Sequence, residues 1–259
     1  MNLVKIKDIT PEQIASICDH TFLFRSEQYF KKDCVQEKSA MQLRQEDFLK
    51  FVNETLEFPL TPYALCVRPE DVLHTKRLLD IGGKPEIKIA SVVGFPDGAW
   101  YPTAFKVAET EIAINHGASE IDMVLDYNRH RHEAKSSVMN DIEGVTEVAH
   151  KKGALVKLIL ETSELCPGGI VNACKYATEC GVDFVKTSTG FGKYGAKPGD
   201  FYLMEGNFKG GLKAAGGIKT REQVIKLLNV AARVPDGFID LDPLKIRIGE
   251  SSLLKSLVE

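Results

Sequence analysis

Val138-Met-Asn-Asp-Ile-Glu-Gly-Val-Thr-Glu-Val-Ala-His-Lys-Lys-Gly-Ala-Leu-Val-Lys-Leu-Ile-Leu160 is the stretch that decides the fold. Its first half spaces Val138, Met139, Ile142, Val145 and Val148 by three and four residues, which gathers them on one face of a helix. Gly153 then suits a left-handed helix cap and a tight turn. The second half, Ala154–Leu160, is apolar at every position except Lys157, as a strand covered on both faces requires.

The same grammar runs outward in both directions. Apolar runs at Tyr63–Val67, Ile87–Val93, Glu120–Leu125, Asp183–Ser188, Gly210–Ala214 and Leu244–Ile248 alternate with helical patterns. Gly82, Gly117 and Gly181 stand before strands as Gly153 does. Upstream, a helix over Pro11–Cys18 leads into Asp19-His-Thr-Phe-Leu23, which supplies a first strand. Eight strand–helix units over roughly 240 residues predict a (β/α)8 TIM barrel, an α/β fold. A doubly wound open sheet is less favoured, because no G-x-G-x-x-G follows a first strand. Arg25–Leu60 is longer than one crossover needs and reads as a helix plus an insertion after the first strand. The expectation is one barrel domain over residues 1–259.

Composition narrows the function classes. The chain has 259 residues, is 44% hydrophobic, and carries a net charge of −3, which gives no support for nucleic-acid or membrane-surface partners. No signal peptide or membrane-length apolar run is visible, so a cytoplasmic location is expected. The six cysteines, Cys18, Cys34, Cys66, Cys166, Cys174 and Cys180, show no C-x-x-C pair and read mostly as reduced, buried thiols.

Four charged residues interrupt the apolar strands: Asp122, Lys157, Lys186 and Lys213. A buried ammonium without a partner costs several kcal/mol, so the four are expected to cluster at one end of the shared core. Lys186 and Lys213 fall late in neighbouring strands, where barrel side chains face the active-site mouth. A second ammonium ~5 Å away costs about 3 kcal/mol at an effective dielectric of ~20. Two adjacent lysines can therefore leave one as the free amine that Schiff-base chemistry needs, with Asp122 able to move protons. A buried ion-pair network that only stabilises the barrel explains the same pattern.

Glycine-rich loops add a second signal. Ser188-Thr-Gly-Phe-Gly192, Ala215-Gly-Gly217 and Ile248-Gly-Glu-Ser-Ser252 follow three consecutive strands. Backbone N–H groups in such loops favour an anion, which points to a phosphorylated substrate. Asp97-Gly98 and Pro198-Gly199 read as ordinary turns, and His20 as a hydrogen-bonded structural residue.

Val185-Lys-Thr-Ser-Thr-Gly190, Lys213-Ala-Ala-Gly-Gly217 and Arg247-Ile-Gly-Glu-Ser-Ser-Leu253 together resemble the 2-deoxyribose-5-phosphate aldolase family. The similarity continues through Asp19-His-Thr21, Ala90-Ser-Val-Val-Gly-Phe-Pro96, Glu120-Ile-Asp122 and Lys157-Leu-Ile-Leu-Glu-Thr162, in order along nearly the whole chain. That resemblance implies a class I aldolase with no metal and no cofactor, cleaving the phosphosugar to acetaldehyde and glyceraldehyde 3-phosphate. Lys186 would form the Schiff base, Lys213 would favour its free amine, and Asp122 would work in a proton relay. Gly190, Gly216, Gly217, Gly249, Ser251 and Ser252 match phosphate-holding positions, with Thr187 and Lys157 assigned beside the substrate. The expected partners are the small phosphosugar and a second copy of the chain.

Two departures stand out. Phe191 follows S-T-G where some members carry a basic residue, with Lys193 and Lys197 further on, and the chain ends at Leu257-Val-Glu259 without a tyrosine tail. Another Schiff-base aldolase or transaldolase is an alternative, as is a non-catalytic phosphosugar-binding barrel. A phosphosugar isomerase using Glu161 would leave both lysines unexplained.

Overall fold

The apolar runs become eight parallel strands in the computed structural model, which describes residues 3–30, 38–132, 134–232 and 237–258. They are β1 (Cys18–Thr21), β2 (Ala64–Val67), β3 (Lys88–Val93), β4 (Glu120–Val124), β5 (Leu155–Ile159), β6 (Phe184–Lys186), β7 (Gly211–Ala215) and β8 (Ile246–Glu250). Each pairs with the next, and β8 pairs back onto β1 through Ile248 opposite Cys18 and Gly249 opposite Asp19. Closure leaves no open edge for another chain to extend.

The helices follow the strands as expected. They are α1 (Pro11–Ala15), α2 (Ala40–Glu57), α3 (Val72–Ile81), α4 (Thr103–Asn115), α5 (Tyr127–Arg131), α6 (Lys135–Lys151), α7 (Pro167–Glu179), α8 (Pro198–Asn207), α9 (Arg221–Ala231) and α10 (Leu253–Ser256). On α6, Val138, Ile142, Val145 and Ala149 are buried, which is the face the sequence pattern marks. Residues between barrel and helices form one large apolar cluster, while Cys66, Ala90, Val92, Val124 and Ile159 belong to a separate smaller one with Leu23 and Phe95.

The insertion after β1 is anchored. Ser39 and Gln42 form a reciprocal cap that starts α2, Phe48 and Val52 bury its inner face, and Arg44 grips Asp71 with both terminal nitrogens. Among the described residues, no helix is long and apolar enough to cross a membrane.

Several expectations need correction. The first helix ends at Ala15, and Cys18 already belongs to β1, which stops at Thr21 rather than Leu23. Strand β8 begins at Ile246 and runs two residues beyond Ile248. Pro198-Gly199 opens α8 rather than making a turn, with proline at the first helical position where its missing N–H costs nothing. At the end of α3 the left-handed residue is Gly83, not Gly82. A short antiparallel pair, Leu3–Lys5 with Phe238–Asp240, lies outside the barrel and has no clear sequence signal. Cys18, Cys66, Cys174 and Cys180 are buried, Cys166 is exposed, and Cys34 lies outside the described residues.

Candidate active site

Pairing register brings the charged residues to neighbouring positions. Asp122 is opposite Lys157, Lys186 is opposite Lys213, and Lys213 is opposite Arg247. Their side chains meet inside the barrel with Asp19 and Glu120, every one of them buried.

Asp122 is the hub. Its Oδ1 accepts from Lys157 Nζ at 2.7 Å, and its Oδ2 accepts from Lys186 Nζ and Lys213 Nζ, each at 2.8 Å. Lys157 also donates to Glu120, and Lys213 to Asp19. Arg247 closes the ring by donating to Asp19 and Glu120, with its guanidinium 3.7 Å from the centre of the Tyr63 ring. A buried network of this kind is stable only when its members are mutually satisfied.

The electrostatics follow from this geometry. Burial pushes the Asp122 carboxyl up, but Lys157, Lys186 and Lys213 outweigh it and hold the group well below the usual carboxylate range. Asp19 is held at about 2, where Arg247 and Lys213 overcome the opposing effect of burial. Burial lowers Lys213 and Lys157, yet the carboxylates around them win, so both are driven above the ordinary lysine value and stay charged.

Lys186 differs from the other two lysines. It has one carboxylate partner, Asp122, where Lys157 and Lys213 each have two or more. It also borders a cavity of about 320 Å³ at the barrel mouth, which neither of the others lines. Gly190, Gly216, Gly217, Gly249 and Ser251 also line that cavity. Gly216 has φ +92°, and a Cβ at Gly249 would come within 2.8 Å of Ala215 Cβ and 3.2 Å of Lys213 Cε. Gly249 thus lets β8 lie close against Lys213 and Ala215 of β7.

The remaining sequence candidates sit apart. Thr187 is buried, its Oγ1 donating to the Ala215 carbonyl and accepting from the Ala215 amide, so it ties β6 to β7 rather than facing the cavity. Ser252 does not line the cavity, and Lys157 lies beneath it in the ion-pair network. Glu161 accepts from Thr189 N, Thr189 Oγ1 and Ser163 Oγ, bracing the loop after β6. His20 meets Glu250, in keeping with a structural role.

Sequence reasoning passed over Asp19 and Glu120, which open their strand runs, and Arg247, a charge inside an apolar run like Lys186. It also passed over Lys219, an exposed lysine lining the cavity. Lys193 pairs with Glu164 at 3.0 Å, and Lys197 packs over the Tyr194 ring.

Residues 17–256 match the profile described as DeoC/LacD family aldolase. The chain is 43% identical over 189 residues to deoxyribose-phosphate aldolase of Thermococcus gammatolerans, covering 72% of this chain and 82% of that one. It is 40% identical over 197 residues to deoxyribose-phosphate aldolase of Clostridium botulinum, covering 74% and 89%. A solved structure from Coccidioides immitis, provisionally assigned as deoxyribose-phosphate aldolase, superposes with a TM-score of 0.74 at 30% identity, covering 96% of this chain and 86% of that one. With profile, relatives and barrel in agreement, the chain belongs to the DeoC/LacD family of aldolases.

Proposed function

We propose that the chain is a class I aldolase that reversibly cleaves 2-deoxy-D-ribose 5-phosphate to acetaldehyde and D-glyceraldehyde 3-phosphate through an imine on Lys186. One observation carries the reading: within the buried cluster, Lys186 opens onto the cavity while sharing Asp122 Oδ2 with a second lysine. Charge supports it as well. Four cations, Lys157, Lys186, Lys213 and Arg247, face three carboxylates, Asp19, Glu120 and Asp122. The network is neutral when one amine is uncharged, and Lys186 has the fewest ionic partners. Lys213, held charged, is the like-charge neighbour that shares Asp122 Oδ2 with Lys186.

Nucleophilic attack of Lys186 Nζ on the sugar aldehyde, followed by loss of water, gives the protonated imine. Removing the proton from the C3 hydroxyl lets the C2–C3 bond break. Its electron pair passes into the imine to form an enamine, and C3 departs as the aldehyde of glyceraldehyde 3-phosphate. A proton returned to C2 and hydrolysis of the imine release acetaldehyde and restore the amine. Asp122 stays ionised in the resting enzyme, so it holds a proton only in passing, relaying it through water between substrate and Lys186. Gly190, Gly216, Gly217, Gly249 and Ser251 face the phosphate end, with Lys219 as a cation at the rim. Ser252 stands beside them.

The reading carries with it one barrel domain over residues 1–259, a cytoplasmic setting and a homodimer. Exposed Trp100, Phe105 and Ile112 supply apolar surface for a second copy. Incubation with acetaldehyde in deuterium oxide tests the carbon chemistry. Methyl protons exchange through the enamine in the wild type and stop exchanging in Lys186→Ala. Exchange that survives the substitution overturns the assignment of the imine to Lys186.

A further inference from the structure

The loop after β6 is held by a carboxylate that the chemistry above does not use. Glu161 is only 2% exposed and lines no part of the cavity that Lys186 borders. Its Oε2 accepts from Thr189 N at 3.0 Å and from Thr189 Oγ1 at 2.6 Å, and its Oε1 accepts from Ser163 Oγ at 2.7 Å. Thr189 Oγ1 in turn accepts from Phe191 N at 3.0 Å. One buried side chain thereby fixes the amides at 189 and 191, directly or through one hydroxyl. The Gly190 amide between them has no partner among the described residues. Thr189, Gly190 and Phe191 all line the cavity.

The backbone shows why the side chain at 161 matters. Glu161 has φ +49° and is the one non-glycine residue with a positive φ among the described residues. Glycine takes that region freely, whereas a Cβ crowds the following carbonyl oxygen. The cause lies at the strand ends. Leu160 N donates to the Lys186 carbonyl at 2.8 Å, and Thr162 N to the very next carbonyl, that of Thr187, at 2.9 Å. Glu161 is therefore an extra residue on the β5 side, a bulge of the kind that re-aims a side chain. Gly192 completes the fit, since a Cβ there would lie 2.5 Å from Glu161 Oε1 and 2.6 Å from Ser163 Oγ. On backbone grounds glycine suits position 161 better, so what glutamate adds is its carboxylate.

Resting on the aldolase reading, we propose that Glu161 is a positioning residue. Through Thr189 it sets the segment Thr189–Phe191 against the phosphate end of the substrate, and it takes no part in the imine chemistry. Its loss weakens the hold on the phosphorylated sugar and leaves attack by Lys186 intact.

The test measures kcat and KM for 2-deoxyribose 5-phosphate and 2-deoxyribose, acetaldehyde trapping on Lys186, and the denaturation midpoint, in wild type, Glu161→Gly and Glu161→Gln. Glu161→Gly suits φ +49° and isolates the loss of the carboxylate. It should raise KM for the phosphorylated sugar about tenfold, as loss of a charged hydrogen bond does, with kcat, 2-deoxyribose cleavage and the adduct changed less than about threefold. Glu161→Gln keeps an acceptor for Thr189 and should recover most of the loss. If Glu161→Gly fails to fold, Thr189→Val and Thr189→Ser make the same comparison: valine raises KM, and serine, which keeps the hydroxyl, does not. An unchanged KM in the folded variant overturns the inference. So does an equal loss with both sugars alongside a lowered midpoint, which a purely structural role would give. Loss of the adduct in Glu161→Gly overturns it too, since the residue would then serve the imine step. A wild type that cleaves neither sugar and forms no adduct on Lys186 overturns the aldolase reading and this inference with it.

Discussion

At the residue scale, Asp122 binds the site together, because three ammonium groups share its two oxygens. Asp122→Asn removes the charge while nearly keeping the shape, leaving Lys157, Lys186 and Lys213 short of one carboxylate. Loss of one partner from a buried ion pair costs roughly 3–5 kcal/mol, and loss of a proton-transfer group about a hundredfold to ten-thousandfold in rate. Asp122→Asn should therefore lower both the denaturation midpoint and kcat; normal stability and normal kcat would remove Asp122 from the mechanism. Lys186, Lys213, Lys157 and Asp122 were legible because each breaks an apolar run. Asp19, Glu120 and Arg247 break such runs too, but Asp19 and Glu120 open their runs, where charge is ordinary. Arg247 lay in a strand placed two residues early. The Thr187 hydroxyl is taken up by Ala215 of the neighbouring strand, a pairing that sequence cannot show.

At the element scale, the loops after β6 and β7 work as a pair. Gly195 packs so closely on the loop after β7 that a Cβ there would sit 2.0 Å from the Gly216 carbonyl oxygen. The Ala196 amide donates to that same oxygen at 3.1 Å. Gly195→Ala must push the two loops apart and displace Gly216 and Gly217 at the cavity. The expected result is a raised KM for 2-deoxyribose 5-phosphate with imine formation from acetaldehyde retained; an unchanged KM would show that these loops do not position substrate. Strand and helix identity could be read from spacing and glycine placement, since both follow local geometry. The outer pair of Leu3–Lys5 with Phe238–Asp240 could not, because two three-residue segments so far apart pair only once the barrel brings them together.

At the scale of the whole molecule, the barrel is built around the charge network, so its stability depends on pH. Asp19 and Asp122 have folded-state pKa values below those of an unfolded chain. The stability they contribute is present above about pH 4, the unfolded aspartate value, and is lost as pH falls through the depressed folded values. Lys213 and Lys157, shifted upward, contribute fully below about pH 10 and lose that contribution only as pH rises through their folded values. Denaturant midpoints should therefore be nearly level between these limits as far as this network is concerned, then drop steeply from about pH 4 toward pH 2. Asp19→Asn should shrink that drop; an identical acid limb in the variant would show that the buried network is not what acid attacks.

The central claim is that Lys186 is the nucleophile, and the most direct measurement is borohydride reduction in the presence of acetaldehyde, followed by peptide mass mapping. An ethyl adduct on Lys186 in the wild type, missing from Lys186→Ala and still present in Phe191→Lys, is the result the structure predicts. An adduct mapped to Lys157, Lys213 or Lys219, or none at all while 2-deoxyribose 5-phosphate is still cleaved, would contradict it.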